Sequence, residues 1–210
     1  MARFADLAQA VIAGDVTQTK VLTERALAAG ATPDDLLHSG LMPAMEEVGD
    51  RMAKNSIFIP EVLMAAKAMH AATDVLRPHL GGRDLPSVGR VVIGTVKGDL
   101  HNIGKNLVAM VLEATGFQVQ DLGIDVSPET FVEAVKAQKP DILGMSALLT
   151  TTKGAMRETV ESLNRAKLRE QVKVMIGGVA VNQAYADDIG ADAYAPDAGM
   201  AVQRAKALLR

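Results

Sequence analysis

Asp99-Leu100-His101-Asn102-Ile103-Gly104 is a polar turn set between two apolar segments of different period. Before it runs Val91-Val92-Ile93-Gly94-Thr95-Val96, a short, continuous, β-branched run that reads as a strand buried in a parallel sheet. After it, Leu107, Met110, Val111 and Ala114 recur at helical spacing. The turn therefore joins a buried strand to the helix that covers it. A His beyond the carboxyl end of a strand can present its ring to a ligand. Asp99, two residues earlier on extended chain, faces the same side and can accept the second ring N–H, which fixes the tautomer. Gly104 leaves room for a flat group to approach the backbone at the helix start.

Downstream, strand-like and helix-like segments alternate. Strands are expected near 91–96, 117–122, 142–146, 172–176 and 193–194, with helices between them and at the C-terminus. Ser127-Pro128-Glu129 is a helix start: a capping hydroxyl, a proline at the first helical position and an acidic first turn. Five strands joined by helices give an α/β fold with a flavodoxin-like, doubly wound, parallel five-stranded sheet. In that topology the first and third strands are neighbours, and ligands sit at their carboxyl ends. The His101 turn, the loop from Ser146 to Thr152 and the Gly177-Gly178 turn then converge on one rim.

Upstream, the first third reads as four helices. Phe4, Leu7, Ala8, Val11 and Ile12 form one apolar face. Asp15 caps a second helix carrying Val21, Leu22, Ala26 and Ala29, which Gly30 ends. Thr32 and Pro33, with Asp35, start a third, with Leu37, Leu41, Ala44, Met45, Val48 and Met52 on one face. After a turn at Lys54-Asn55-Ser56, Pro60 opens a fourth, with Ile59, Val62, Leu63, Ala66, Met69 and Leu76 inward. Met42, Met45, Met64 and Met69 are expected in the core. Short connections imply antiparallel neighbours and a four-helix bundle. The stretch 78–87, with Gly81, Gly82 and Pro86, is the linker, so 1–85 and 88–210 are the expected domains.

Composition excludes several function classes. Of 210 residues 49% are apolar, enough for real cores, but aromatics are only 3%, so those cores are aliphatic. A net charge of −3 with mixed signs argues against a nucleic-acid or anionic-membrane surface. With no Cys there are no disulfides, thiolate metal sites or Cys nucleophiles, which suits a reducing cytoplasm. No signal peptide and no membrane-length apolar stretch is evident.

The run from Gly94 to Asn106, centred on Asp99, His101 and Gly104, resembles the cobalamin-binding motif of corrinoid proteins, such as the cobalamin region of methionine synthase and the small corrinoid subunits of methyltransferase systems. Gly144 to Thr152 and Ile176 to Asn182 match in order and spacing, and Val48-Gly49-Asp50 and Phe58 to Val62 extend the likeness into the first third. The resemblance implies cobalamin, as methylcobalamin or a related corrinoid, with His101 as the lower ligand to cobalt. It implies that Asp99 and Thr152 form a relay behind the ring, Thr152 standing where the family has a serine. Gly98, Leu100, Asn102, Ile103 and Gly104 would contact the cofactor from the turn. Ser146, Leu148, Thr150, Gly177, Gly178 and Val179 would line the slot for its nucleotide tail, with Tyr194 and Ala195 at the far end. The helical bundle would cap the methyl-bearing face through Met52, where the family often has an aromatic, and Ile59.

The function so implied is a methyl carrier. It would accept a methyl group on cobalt from a substrate-specific methyltransferase and pass it to a second methyltransferase acting on tetrahydrofolate or another acceptor. A reductive activase would be a third partner, and neither nucleic acid nor membrane is expected. The donor would be methanol, a methylamine, a betaine or a methoxylated aromatic. No length remains for a catalytic barrel, so the chain is expected to be non-catalytic alone. The rival is a cobalamin-dependent sensor, which usually adds a DNA-binding domain and a Trp in its cap; neither is seen here. A flavodoxin-like nucleotide binder would need a glycine-rich phosphate loop, which is missing. A mutase subunit would usually lack the bundle.

Overall fold

The computed structural model describes residues 4–54, 56–80 and 87–210. Asn55 and the 81–86 part of the expected linker lie outside the described residues, while Pro78 falls in a 3-10 turn over Arg77–His79. Two compact units are present: residues 1–87 with 113–116, and 88–112 with 117–210.

In the first unit α1 (Ala5–Ile12) packs on α2 (Val16–Ala28), whose N-terminus is capped by the Asp15 side chain accepting Gln18 N–H at 2.9 Å. Thr32 accepts Asp35 N–H at 3.1 Å and starts α3 (Pro33–Leu36). The expected third helix is not one α-helix. A π turn over Leu37–Leu41 separates α3 from α4 (Met42–Ala53). Pro43 is the reason: it has no N–H to donate, and its ring would strike the carbonyl one turn back, so the helix widens there. The apolar face is kept across the wide turn, since Leu37, Leu41, Ala44, Met45, Val48 and Met52 are all buried. Glu61 closes the start of α5 (Ile59–Leu76) by accepting Phe58 N–H at 2.9 Å.

The α2–α5 contact differs from the expectation. Val21 and Ala29 are exposed, and the buried residues of α2 are Thr19 and Thr23. The neighbouring α5 buries Ala65, Ala68 and Ala72 among others, with Leu63 and Met69 only half-buried and Met64 exposed. Thr23 returns its hydroxyl proton to Thr19 C=O at 2.7 Å, which lets a polar residue lie inside.

The second unit is the expected sheet. Its strands are β1 (Arg90–Thr95), β2 (Gln118–Asp121), β3 (Ile142–Ser146), β4 (Lys173–Gly177) and β5 (Ala193–Ala195). They run parallel in the order β2-β1-β3-β4-β5, the flavodoxin order. The helices are α6 (Ile103–Ala114), α7 (Pro128–Gln138), α8 (Gly154–Arg165), α9 (Gln183–Ile189) and α10 (Ala198–Leu208). Ser127 caps α7 by accepting Thr130 N–H at 3.2 Å. Phe131, Leu143, Met156, Leu163 and Ile176 sit in the core between sheet and helices, all fully buried. Among the described residues no helix is long and apolar enough to cross a membrane.

Candidate functional site

One register row fixes the rim. Thr95, Ser146, Gly177 and Ala195 are paired neighbours at the carboxyl ends of β1, β3, β4 and β5. The loops leaving that row carry nearly all the site residues expected from the sequence: Gly98 to Gly104 after β1, Leu148 to Thr152 after β3, and Gly178 and Val179 after β4. Tyr194, in β5, pairs with Ile176 one step inside the row. Met52 and Ile59 belong to the other unit; Met52 is buried in α4 and Ile59 is half-buried at the start of α5.

The centre of the rim is a buried carboxylate. Asp99 Oδ1 accepts His101 N–H at 3.0 Å and faces His101 Nδ1 at 2.8 Å. Oδ2 accepts Leu148 N–H at 2.8 Å, Leu149 N–H at 3.3 Å and the Thr152 hydroxyl at 2.8 Å. Burial pushes the Asp99 carboxyl up, but the His101 and Leu148 N–H groups, the His101 ring and the Thr152 hydroxyl outweigh it. The group is held well below the ordinary carboxylate range. An ionised Asp99 can only accept, so Nδ1 carries a ring proton, and in the neutral imidazole the lone pair then lies on Nε2. The His101 side chain is about half exposed, so that lone pair is available.

Thr152 meets Asp99 through a turn that closes on itself: its N–H and its hydroxyl both face Leu149 C=O, at 3.2 and 3.0 Å. Its methyl lies 3.6 Å from where a side chain on Gly98 would begin. The extra carbon, relative to serine, thus fills the space above Gly98 and limits the hydroxyl's rotation. We expect Thr152→Val to cost the apo-protein about 1–2 kcal/mol through the donor lost from Asp99, and Thr152→Ser clearly less. Urea unfolding followed by tyrosine emission reads this, because both tyrosines, 185 and 194, lie in the sheet unit and there is no Trp.

Gly178 has a packing task beside the one its motif suggests. It stands at φ 109°, and a Cβ there would come within 2.1 Å of Ala147 C=O. The turn after β4 therefore rests directly on the backbone after β3, ligand or no ligand. Gly104, by contrast, faces open space within 4 Å.

Around His101 the rim is apolar and unpaired. Ile103 is 86% exposed and Val179 82%, with Leu100, Leu148 and Leu149 also exposed. Among the described residues no cluster of three metal-ligating side chains occurs. A lone imidazole suits a metal whose other positions are filled by a flat macrocycle. An apolar collar and a glycine backed by empty space suit the macrocycle itself. The residues present fit a corrinoid.

Several contributors were not among the expected site residues. Thr95, fully buried, donates its hydroxyl to His101 C=O at 2.8 Å. Tyr185 donates to Lys153 C=O at 2.7 Å while Lys153 Nζ lies 4.8 Å over its ring, which ties the Thr152 turn to α9. Lys105, Asp121 and Asp125 hold the His101 turn from the side of β2. Their partners are distant in sequence, so local spacing could not show them. His38, His70 and His79 belong to the other unit and are exposed.

Comparison with known proteins gives the same direction. Residues 89–203 and 3–77 each match a family described as "B12 binding domain". The chain is 46% identical over 191 residues to trimethylamine corrinoid protein 2 of Methanosarcina mazei, covering 90% of this chain and 88% of that protein. It is 43% identical over 178 residues to dimethylamine corrinoid protein 2 of Methanosarcina acetivorans, covering 84% of this chain and 82% of that one. In structure it resembles the methanol:cobalamin methyltransferase complex of Methanosarcina barkeri, with a TM-score of 0.84, 33% identity, and 97% and 78% of the two chains covered.

Proposed function

Because this chain belongs to the B12-binding corrinoid proteins, we propose that it is a methyl carrier working between two methyltransferases. When bound, the cofactor supplies a cobalt centre on which a methyl group can ride. The protein's own part is to bind, orient and shield. His101 Nε2 is the proposed axial ligand. Asp99 holds the ring in the tautomer that frees Nε2, and Thr152 completes the acceptor's shell. Gly98, Leu100, Asn102, Ile103 and Gly104 are proposed to contact the macrocycle. Ser146, Leu148, Thr150, Gly177, Gly178, Val179, Tyr194 and Ala195 take its nucleotide tail. Met52 and Ile59 are the helical unit's proposed share.

The observation that carries the reading is the buried Asp99 carboxylate on His101 Nδ1, at 2.8 Å, beside an exposed apolar collar. The relatives named for trimethylamine and dimethylamine support a methylated amine as the donor class. The proposed partners are the methyltransferase that demethylates that amine, a second one that takes the methyl onward to tetrahydrofolate or another acceptor, and a reductive activase.

The test is electron paramagnetic resonance of the cobalamin-loaded protein in the cobalt(II) state, with and without nitrogen-15 histidine. The axial splitting is expected to change with the label and to vanish in His101→Ala. Splitting that ignores the protein label would overturn the ligand assignment.

A further inference from the structure

The last residue of β2 and the segment that follows it carry two carboxylates that hold the His101 turn at its two ends in sequence. Asp125 Oδ1 accepts Gly98 N–H at 2.7 Å, and Asp125 N–H donates to Asp99 C=O at 3.1 Å. Four residues earlier, Asp121 Oδ2 accepts from Lys105 Nζ in the first turn of α6, while its Oδ1 takes Gly123 N–H at 2.8 Å. One hold lies before the histidine and the other after it. Asp125 stands at φ 54°, a left-handed conformation that costs a non-glycine residue about 1 kcal/mol or more and persists only where surrounding contacts impose it.

We infer that the Asp121–Asp125 segment is a brace for the His101 turn, with Asp125 a positioning residue for axial ligation; this rests on the ligand assignment above. Asp99 cannot do the task alone, because it lies on the same short turn as the ring it holds. Leu148, Leu149 and Thr152 fix its carboxylate against the β3 loop. Its backbone is fixed by Asp125 together with Val96 C=O, which accepts Asp99 N–H at 3.1 Å. Without the Asp125 carboxylate Gly98 N–H loses its acceptor, while Asp125 N–H still holds Asp99 C=O, so the turn is freed at its entry and the ring can shift with it. A ligating ring has to be held to within about 0.5 Å, so freedom at the entry of the turn loosens it even with Thr95 on His101 C=O.

The test compares wild type, Asp125→Asn and Asp125→Gly, each loaded with hydroxocobalamin and reduced to cobalt(II). Asp125→Gly relieves the left-handed strain and is expected to fold, yet it removes the acceptor of Gly98 N–H. It should shift the balance of histidine-on to histidine-off cofactor by about tenfold toward off, the lower end of the scale for residues behind a metal ligand. In the apo-protein, Gly98 amide exchange should speed up. Asp125→Asn keeps an oxygen acceptor and tolerates the left-handed backbone, so it should stay near wild type. A residue that only closed the loop would change unfolding midpoint and cofactor content but not that balance. If wild type shows nitrogen-15-dependent splitting and Asp125→Gly keeps its full histidine-on signal, the brace is refuted while the ligand assignment stands. If wild type itself shows no such splitting, the ligand assignment fails and the brace falls with it.

Discussion

Asp99→Asn is expected to destabilise the apo-protein by about 3 kcal/mol, although it is nearly isosteric and removes a charge from the interior. The carboxylate accepts on both oxygens: His101 N–H and Nδ1 on one, Leu148 N–H, Leu149 N–H and the Thr152 hydroxyl on the other. An amide has one oxygen. Turned either way, its NH2 points at buried donors that then have no acceptor. Asp99→Ala should be at least as damaging, since each stranded N–H costs about 1–3 kcal/mol. The effect depends on pH with a definite sign. Asp99 is held below its ordinary value of 3.8 when folded, so its contribution is complete above that value and is lost as pH falls toward the folded one. Urea midpoints read by tyrosine emission should therefore differ most between wild type and Asp99→Asn above about pH 5 and converge in acid. Equal stability of the two proteins at neutral pH would show that the network is not as drawn.

Asp121→Ala and Lys105→Met should differ sharply although they break the same pair. The Lys105 side chain is 1% exposed and that of Asp121 38%. Removing the aspartate strands a buried ammonium that keeps Asn106 Oδ1 at 2.7 Å but no counter-charge, a loss of about 3–5 kcal/mol. Removing the lysine leaves a carboxylate that reaches water and keeps Gly123 N–H. Methionine also fills the track of the lysine stem, so the cost should be about 1 kcal/mol. The double variant should then be about as stable as Lys105→Met alone, because no buried charge is left to strand. Additive losses in the double variant would show that the aspartate acts otherwise than as a counter-ion.

The sheet was legible because its signals are local. The apolar run of β1, the Ser127-Pro128-Glu129 start of α7 and the polar turn at Asp99 each announce themselves within a few residues. The hydroxyl on Asp99 was legible as Thr152, but the place of its methyl over Gly98 was not, since that depends on a loop packed from another strand. The brace was out of reach for the same reason: Asp125 lies 27 residues from Gly98 and Asp121 16 from Lys105. In the helical unit hydropathy misdirects. Val21 and Ala29 look like the inner face of α2, but its buried residues are Thr19 and Thr23. Pro43 did signal a break, yet the unbroken apolar spacing from Leu37 to Met52 masks it.

The contact between α2 and α5 has a thermodynamic consequence. Alanine has no side-chain torsion to lose, and threonine has little, so bringing these surfaces together freezes almost no rotamers. The attraction comes from many weak contacts between closely set atoms. A leucine-rich seam of equal area would pay for its burial in lost side-chain freedom and would have to re-sort those rotamers whenever the helices parted. With Thr19 and Thr23 buried on α2, and Ala65, Ala68 and Ala72 among the residues buried on α5, little of that entropy is at stake in this pair.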